Sequence, residues 1–365
     1  MNAHTAKLLL ISIPLLWIAS CGDKKTSEPE KTDPPAETVD PVHKAAAKKL
    51  KIVKDPTIEE IETASHNCRQ AYNNSRFDEL EKLFTPARDS KTLFRDGEWK
   101  LERLYRSLTC RDEEPENMWE LHDRIHEAWI AAKPDSLTAR IAHADFFVAY
   151  AWHARGNGYA NKVPPKAWKT FEIRLAKAAK ILEKARELNQ KDPYYWHVLM
   201  TVGKGQGWDK ATFDSVVEKA VAEEPKYYPV DEMRANTLLP RWYGEPGDWE
   251  AYALKAAERP DGLGAETYAR IVLALWGYHD NIFQETKVSW PKTKEGLQLL
   301  RSRYPDSIKH LHLAARFAAE AGDIAYSKEC FDLIGDNVYP GIWSNSGTFL
   351  KYREWVQKEA AEAKP

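Results

Sequence analysis

The sequence lacks several features that would assign it at once to a functional class. Its 53 Lys and Arg residues nearly balance 55 Asp and Glu residues, and the formal net charge of −2 gives no basic footprint for nucleic acid. Beyond the first twenty residues, no apolar run is long enough to span a bilayer. We therefore expect no nucleic-acid partner and no membrane-spanning helix in the rest of the chain.

Two further absences narrow the chemistry and the fold. No Cys-x-x-Cys motif occurs, which excludes a zinc site of that kind and a thioredoxin-type redox site. Sustained alternation of β-branched and polar residues is also missing, so strands are not expected. What is abundant is aromatic: 14 Trp, 16 Tyr and 11 Phe indicate aromatic helix packing or an aromatic groove. We expect an all-α protein without a cofactor.

The N-terminus has the pattern of an export signal. Residues 1–20 carry Lys7, a short apolar core and small residues before Cys21, too short a run for a membrane helix. Ile-Ala-Ser-Cys21 resembles the lipobox of bacterial lipoproteins, which implies that Cys21 is lipidated. Gly22 follows in place of the aspartate that retains such proteins in the inner membrane. The resemblance thus implies a lipid anchor in the outer membrane, facing the periplasm.

An exported chain of this kind can carry a linker after its N-terminus, and its cysteines can form disulfides. Residues 21–56 are rich in Lys, Glu, Thr and Pro and nearly free of large apolar groups, so we expect a disordered linker. In an oxidising compartment cysteines can pair. Cys68 and Cys110 fall on neighbouring predicted helices, and a disulfide between them is one of two open alternatives. Cys330 is expected to be a buried thiol.

Residues 304–340 show the repeating unit most clearly. Ile308, Leu311, Ala315 and Ala318 have helical 3-4-3 spacing, and Gly322-Asp323 is typical of a helix end followed by a cap. A second helix returns with apolar residues toward the first. Because one such hairpin cannot bury its apolar face alone, it must stack on similar neighbours.

The same pattern recurs along the chain and predicts an α-solenoid of stacked antiparallel helix pairs. Gly322, Ser327, Phe331 and Pro340 follow spacing that resembles the tetratricopeptide repeat, a fold that implies a concave groove for peptides or proteins. The segments AYAWHARGNGYA, GKGQGWD and LLPRWYGEPGD also resemble a bacterial envelope family whose shared domain has no assigned activity. We predict an N-terminal helical region over 57–132, tetratricopeptide-like repeats over 133–335 and a capping helix with a tail over 336–365. The predicted helices cover 57–72, 76–88, 98–110, 116–132, 135–154, 165–188, 265–277, 291–303 and 347–358. Further pairs open at 192 and 304, and residues 247–251 repeat the pattern of a turn followed by a new helix.

The densest polar-aromatic run begins at Tyr150 and ends at Tyr159. Trp152, His153 and Arg155 lie between them at a predicted helix C-terminus. In one interpretation these residues line a groove, and Arg155 makes two parallel hydrogen bonds to a carboxylate or a peptide C-terminus. The alternative is that Arg155 caps backbone carbonyls and Trp152 belongs to the core.

Two other aromatic segments are candidates for the rim of the same groove. Trp208 ends a glycine-rich segment that lacks the frame of a phosphate-binding loop, so we expect an inter-helix turn there. Arg241 and Trp242 follow a proline at a helix end and are residue types that dominate binding hot spots. Packing between repeats is the alternative for Trp242.

Histidines give only a weak case for catalysis. His122 and His126 have the spacing of zinc ligands, but no glutamate base follows the first and no third ligand lies at a recognised distance. We expect them on an ordinary helix surface, and no metal site is predicted. His279 lies near Glu285 in a predicted loop without a nucleophile.

Three functions remain in competition. The first is a lipid-anchored envelope scaffold that binds a protein or peptide partner and has no catalytic activity. The second is a glycan-binding or peptidoglycan-binding lipoprotein that uses exposed aromatic faces. The third, with the weakest support, is a cell-envelope hydrolase built on the histidines.

Overall fold

The fold is all-α. The computed structural model describes residues 49–156, 158, 160–188 and 190–362. In that part of the chain there are two 3-10 turns, at Ala160–Lys162 and Trp276–Tyr278, and two very short strands, β1 Lys51–Ile52 and β2 Asn337–Val338. The α-helices there are α1 Pro56–Asn73, α2 Phe77–Asp89, α3 Lys100–Arg106, α4 Glu116–Ala132, α5 Leu137–Arg155, α6 Pro165–Arg186, α7 Tyr194–Gln206, α8 Lys210–Glu223, α9 Pro229–Thr237, α10 Asp248–Ala257, α11 Ala265–Leu275, α12 Ile282–Glu285, α13 Trp290–Arg303, α14 Ile308–Glu320, α15 Ile324–Ile334, α16 Pro340–Trp343 and α17 Ser346–Glu362.

Helices pack on their neighbours along the chain, as in a helical-repeat protein. The α4–α5, α5–α6 and α6–α7 pairs are in contact, and so are α10–α11, α11–α13 and α14–α15. Local sequence explains how α5 begins and how it packs. The Ser136 hydroxyl caps its first turn by accepting a hydrogen bond from the Ala139 amide at 3.0 Å. The small residues Ala142 and Ala144 are buried where neighbouring helices pack on α5. The predicted all-α, helical-repeat fold is confirmed.

The hairpin α14–α15 has the predicted turn. Gly322 has φ +79°, a left-handed conformation that suits glycine at a helix end, and the Asp323 carboxylate accepts from the Tyr326 amide at 3.1 Å. The Ser327 hydroxyl donates to the Ala315 carbonyl at 2.8 Å, and both residues are fully buried. A small residue at 327 thus lets the two helix backbones approach.

Several element boundaries differ from the sequence prediction. The helix predicted over 98–110 is only α3, because Trp99 is extended and pairs with Leu93 in an isolated β-bridge. Helix α9 and the short helices α12 and α16 were not predicted. The parallel pairing of β1 with β2 was also missed, since two residues are too few to show alternation.

The residues fall into two compact units. Residues 59–306 form the larger one, and residues 307–362 with 49–58 form the smaller one. In the smaller unit, Phe331, Trp343 and Phe349 make a ring-to-ring core with centroids 5.4–5.5 Å apart. Trp343 Nε1 donates to His312 Nδ1 at 2.8 Å in that core.

Parts of the sequence prediction lie outside the described residues. These are the signal peptide over 1–20, the lipidation site Cys21, most of the linker and Tyr159. Among the helices that the structure describes, none combines the length and hydropathy that a membrane crossing requires.

Candidate functional site

The predicted site residues Tyr150, Trp152, His153 and Arg155 lie on two different faces of α5. Tyr150 is buried, and its hydroxyl donates to Glu116 while Arg174 lies over its ring. His153 stacks with Tyr150 against the same indole, that of Trp119, at 4.7 Å and 4.9 Å respectively. These two side chains therefore belong to the α4–α5 packing and do not line an open rim.

Trp152 and Arg155 lie on the other face and meet residues from distant parts of the sequence. The Trp152 ring makes an edge contact with Trp242 at 6.0 Å. Around this indole pair lie three cations, Arg155, Lys204 and Arg241. We call the five residues, together with Trp168, the cation–indole cluster.

Arg155 is held in this cluster by backbone and ring contacts. Its Nη1 donates to the carbonyls of Gly156 at 3.0 Å and Gly158 at 3.2 Å, as the capping interpretation predicts. Its guanidinium lies 5.3 Å from the Trp152 ring and 5.1 Å from the Trp168 ring. Within the described part of the chain, Nε and Nη2 have no acceptor, so one edge of the guanidinium is available to a ligand.

Lys204 is the most perturbed cation of the cluster. Its ammonium lies 3.8 Å from the Trp242 ring centroid and donates to Asn236 Oδ1 at 2.7 Å. Burial, and then the charges of Arg241 and Arg155, lower the pKa of Lys204 from 10.5 to about 7. Two further cations therefore act on a lysine that is already poorly solvated.

The loop after α9 carries Arg241 and Trp242 into the cluster. The loop passes close to the Leu238 backbone at Gly244, because a Cβ there would lie 1.8 Å from the Leu238 carbonyl oxygen. The Tyr243 hydroxyl donates to the Lys204 carbonyl, which ties the loop to the end of α7. The exposed Arg241 guanidinium lies 5.9 Å from the Trp242 ring and 5.3 Å from the Tyr278 ring.

Trp208 lies beside the cluster and is not part of it. Its indole packs on Gly203, where a Cβ would come within 2.4 Å of the ring, and it lies 5.9 Å from Phe213. The expected inter-helix turn was wrong for residues 203–206, which form the last turn of α7. Only Gly207, with φ +72°, leaves the helix as predicted.

The histidines differ from expectation, and the structure decides between the two alternatives for Cys68 and Cys110. His122 and His126 were expected on a helix surface, yet they are 4% and 0% exposed because α4 packs them against Tyr72 at 5.3 Å and 4.9 Å. Cys68 and Cys110 are buried free thiols in the structure and are not bridged. The Cys68 Sγ donates instead to the Leu104 carbonyl at 3.7 Å.

His279 pairs with Glu285, a contact that was not predicted from the sequence, and Glu285 ends the short helix α12 where a loop was expected. Its Nδ1 lies 3.0 Å from Glu285 Oε2, near the start of α12. Hydrogen bonds from the Asn281 amide and from His279 lower the pKa of Glu285. The His279–Glu285 contact therefore stabilises the Glu285 carboxylate, together with the Asn281 amide at the start of α12.

The electrostatics of the cation–indole cluster favour an anionic ligand. In the described part of the chain, no carboxylate forms an ion pair with Arg155, Lys204 or Arg241. Like charges near one another are costly unless an anion joins them. A planar carboxylate can accept two parallel hydrogen bonds from an arginine edge.

Sequence reasoning missed Lys204 and Trp168. Lys204 stands between Gly203 and Gly205, and their missing side chains admit Trp208 on one side and Phe171 on the other. The one available signal was this lysine between two glycines of an aromatic-rich segment. Trp168 had none, because its contact with Arg155 depends on how α5 packs on α6.

The chain is an all-α helical-repeat protein in which three cations surround an indole pair, without a carboxylate partner among the described residues. Residues 64–192 match the family model described as a domain of unknown function (DUF4034). That match confirms the resemblance of the middle of the chain to a domain family without assigned activity. It contains Trp152, Arg155 and Trp168 and ends before Lys204. No curated protein shows detectable similarity to this chain.

Proposed function

We propose that this chain is a lipid-anchored envelope protein that binds a protein or peptide partner without catalysis. The cation–indole cluster is the surface that takes the C-terminal carboxylate of that partner. The observation that carries the proposal is the set of three cations around Trp152 and Trp242 with no carboxylate partner among the described residues.

A carboxylate of a peptide fits this surface better than other anions. Arg155 offers an unused edge for bidentate bonding, and Arg241 is exposed beside it. The indole and phenol rings around the cations supply apolar area for the neighbouring peptide side chain. Nucleic acid is disfavoured because the charge is local, while the whole chain carries a formal net charge of −2.

The glycan alternative has less support from the geometry. Sugar rings stack on open aromatic faces, whereas Lys204 lies over Trp242 and Arg155 lies over Trp152. Cations in these positions are better placed to meet an anion than to make room for a neutral sugar.

The binding experiment compares two pools of short random peptides, one with free C-terminal carboxylates and one amidated. We expect the full chain to retain the free pool preferentially, and Arg155→Gln and Arg241→Gln each to weaken retention at least tenfold. Arg241→Lys keeps the charge, and Arg76→Gln changes an exposed arginine that pairs with Glu79. Both controls should retain peptide. Equal retention of the two pools, or an unchanged Arg155→Gln variant, contradicts the proposal.

The lipid anchor is tested separately at Cys21. Incorporation of labelled fatty acid into the expressed chain, and its loss in Cys21→Ala, is the expected result. A chain that is released without an acyl group while Cys21 is intact refutes this part of the proposal. The peptide experiment does not depend on the outcome.

A further inference from the structure

A second group of side chains comes together at the junction of α3 and α4. Cys110 follows α3, Glu114 lies just before α4, and His122 lies on α4. A sulfur, a carboxylate oxygen and an imidazole nitrogen from these three residues all lie within 4.8 Å of one another. The Glu114 amide donates to the Arg111 carbonyl at 3.1 Å, a turn that brings Glu114 back over Cys110.

His122 gives an independent indication of a ligand. It is 4% exposed, and its Nδ1 has no hydrogen-bond partner among the described residues. Burying an imidazole nitrogen in that state costs free energy unless something binds it. Tyr72 holds this orientation, since its ring lies against His122 and its hydroxyl donates to the His122 carbonyl at 3.0 Å.

The three donors are of the types that zinc prefers. A thiolate, an imidazole and a carboxylate form a borderline-soft set that is unsuited to Mg²⁺ or Ca²⁺, which take oxygen ligands. Glu114 and His122 also line a cleft of about 430 Å³, which has room for a water molecule as a fourth ligand. Three protein ligands with one open position are characteristic of zinc sites that act on a bound molecule.

Charge balance is compatible with a divalent ion. A Cys110 thiolate and a Glu114 carboxylate bring two negative charges, which a divalent cation neutralises, and the thiol proton leaves to solvent. Two cations, Arg69 and Arg111, line the same cleft, and the Arg69 guanidinium is bonded to the Thr109 carbonyl at 2.5 Å.

We propose that Cys110, Glu114 and His122 bind a zinc ion, with a fourth position open to the cleft. The site is not the His122–His126 pair whose spacing the sequence offers. His126 stacks on His143 at 5.4 Å in the interior and is not among the three clustered ligands. The site is separate from the cation–indole cluster, and the proposal does not depend on the proposed function.

The test is a titration of the full reduced chain with Zn²⁺ by calorimetry and with Co²⁺ by absorption. We expect one equivalent to bind, with a thiolate-to-cobalt charge-transfer band and the visible bands of tetrahedral cobalt. Cys110→Ala should abolish the charge-transfer band. Glu114→Gln should weaken binding at least tenfold while keeping the fold, because Glu114 is only half-buried and the Trp119 indole bonds its carbonyl.

Matched controls separate these ligands from similar neighbours. Glu113→Gln changes an exposed carboxylate next to Glu114, and Cys68→Ala removes a buried thiol outside the cluster. Both should bind as the unaltered chain does. His122→Gln removes the imidazole ligand and should also weaken zinc binding. If this buried substitution prevents folding, Glu114→Gln decides whether the site binds zinc.

Three results would overturn the zinc site. The first is the absence of a stoichiometric equivalent, and the second is a charge-transfer band that persists in Cys110→Ala. The third is a Cys68–Cys110 disulfide, found by non-reducing mass analysis of chain recovered from the oxidising compartment. Glu114→Gln leaves the cation–indole cluster intact, so loss of zinc and loss of peptide are distinguishable outcomes.

Discussion

Replacing Lys204 by methionine should stabilise the protein at neutral and acidic pH and destabilise it slightly at alkaline pH. In the folded chain, burial and two nearby arginines lower the pKa of Lys204 to about 7, while 10.5 is its ordinary value. Below the folded pKa the lysine is charged in both states, and the folded state carries the full free-energy cost of burying the charged ammonium. Between the two values only the unfolded state binds the proton, so stability rises with pH.

The size of the effect follows from the same shift. One pKa unit corresponds to about 1.4 kcal/mol, so the charge on Lys204 opposes folding by roughly 3–5 kcal/mol at low pH. Methionine has a similar length but gives up the hydrogen bond to Asn236 and the contact with Trp242, which together contribute about 1–2 kcal/mol. We therefore expect Lys204→Met to be more stable by about 2–3 kcal/mol below neutral pH. Near pH 10 it should be less stable, by about 1 kcal/mol.

Urea unfolding across this pH range measures the difference directly. Relative to the variant, the unaltered chain should gain up to about 1.4 kcal/mol per pH unit between the folded and unfolded pKa values. Lys219→Met, at an exposed position of α8, is the control and should show no such trend. A difference between Lys204→Met and the unaltered chain that does not vary with pH would refute the reasoning about the cluster.

Three further predictions concern the scaffold. Gly244→Ala should destabilise the protein by about 2 kcal/mol and weaken peptide retention, because its Cβ would clash with the Leu238 carbonyl; Gly277→Ala, with nothing within 4 Å, is the control for both measurements. Glu266→Gln should cost about 3 kcal/mol in urea unfolding, since it removes the carboxylate that Arg270 bonds at 2.8 Å in the interior, whereas Asp332→Asn in an exposed pair should cost under about 0.5 kcal/mol. His126→Phe should reduce the loss of stability on acidification. Burial holds the pKa of His126 well below 6.5, so only the unfolded state takes up this proton as pH falls through that value. Equal acid sensitivity of the unaltered chain and the variant contradicts this, and the exposed His66→Gln should leave the sensitivity unchanged.

Much of the fold follows from local sequence signals. The α14–α15 hairpin was predictable because its apolar spacing, its Gly322 turn and its Asp323 cap all lie within a few residues of one another. Helix α4 was predicted at its observed ends because Pro115 precedes it. Helix α9 begins at a proline too, but its largely buried surface includes Asp231 and Arg234 and leaves no clean apolar stripe.

The candidate site was only partly predictable, because side-chain neighbours depend on tertiary packing. Arg155, Trp152, Arg241 and Trp242 were chosen as a rim from residue type alone, and the structure brings them together. Tyr150 was chosen with them, although two positions along a helix turn it to a different face.

The proposed zinc ligands also show that sequence spacing alone does not identify side-chain neighbours. His122 and His126 have ligand spacing in the sequence, yet helix packing turns His126 inward against His143. Glu114 and Cys110 have no recognised motif and meet His122 only because a turn joins α3 to α4.

The most direct test of the anion-binding account is an NMR titration of Lys204 with lysine-selective carbon labelling. The account predicts that Lys204 titrates near pH 7 in the free chain and at a higher pH when the pool of free-carboxylate peptides is added. The amidated pool should leave the titration where it was. A Lys204 that titrates as an ordinary lysine, or one that ignores the carboxylate peptides, contradicts the central claim.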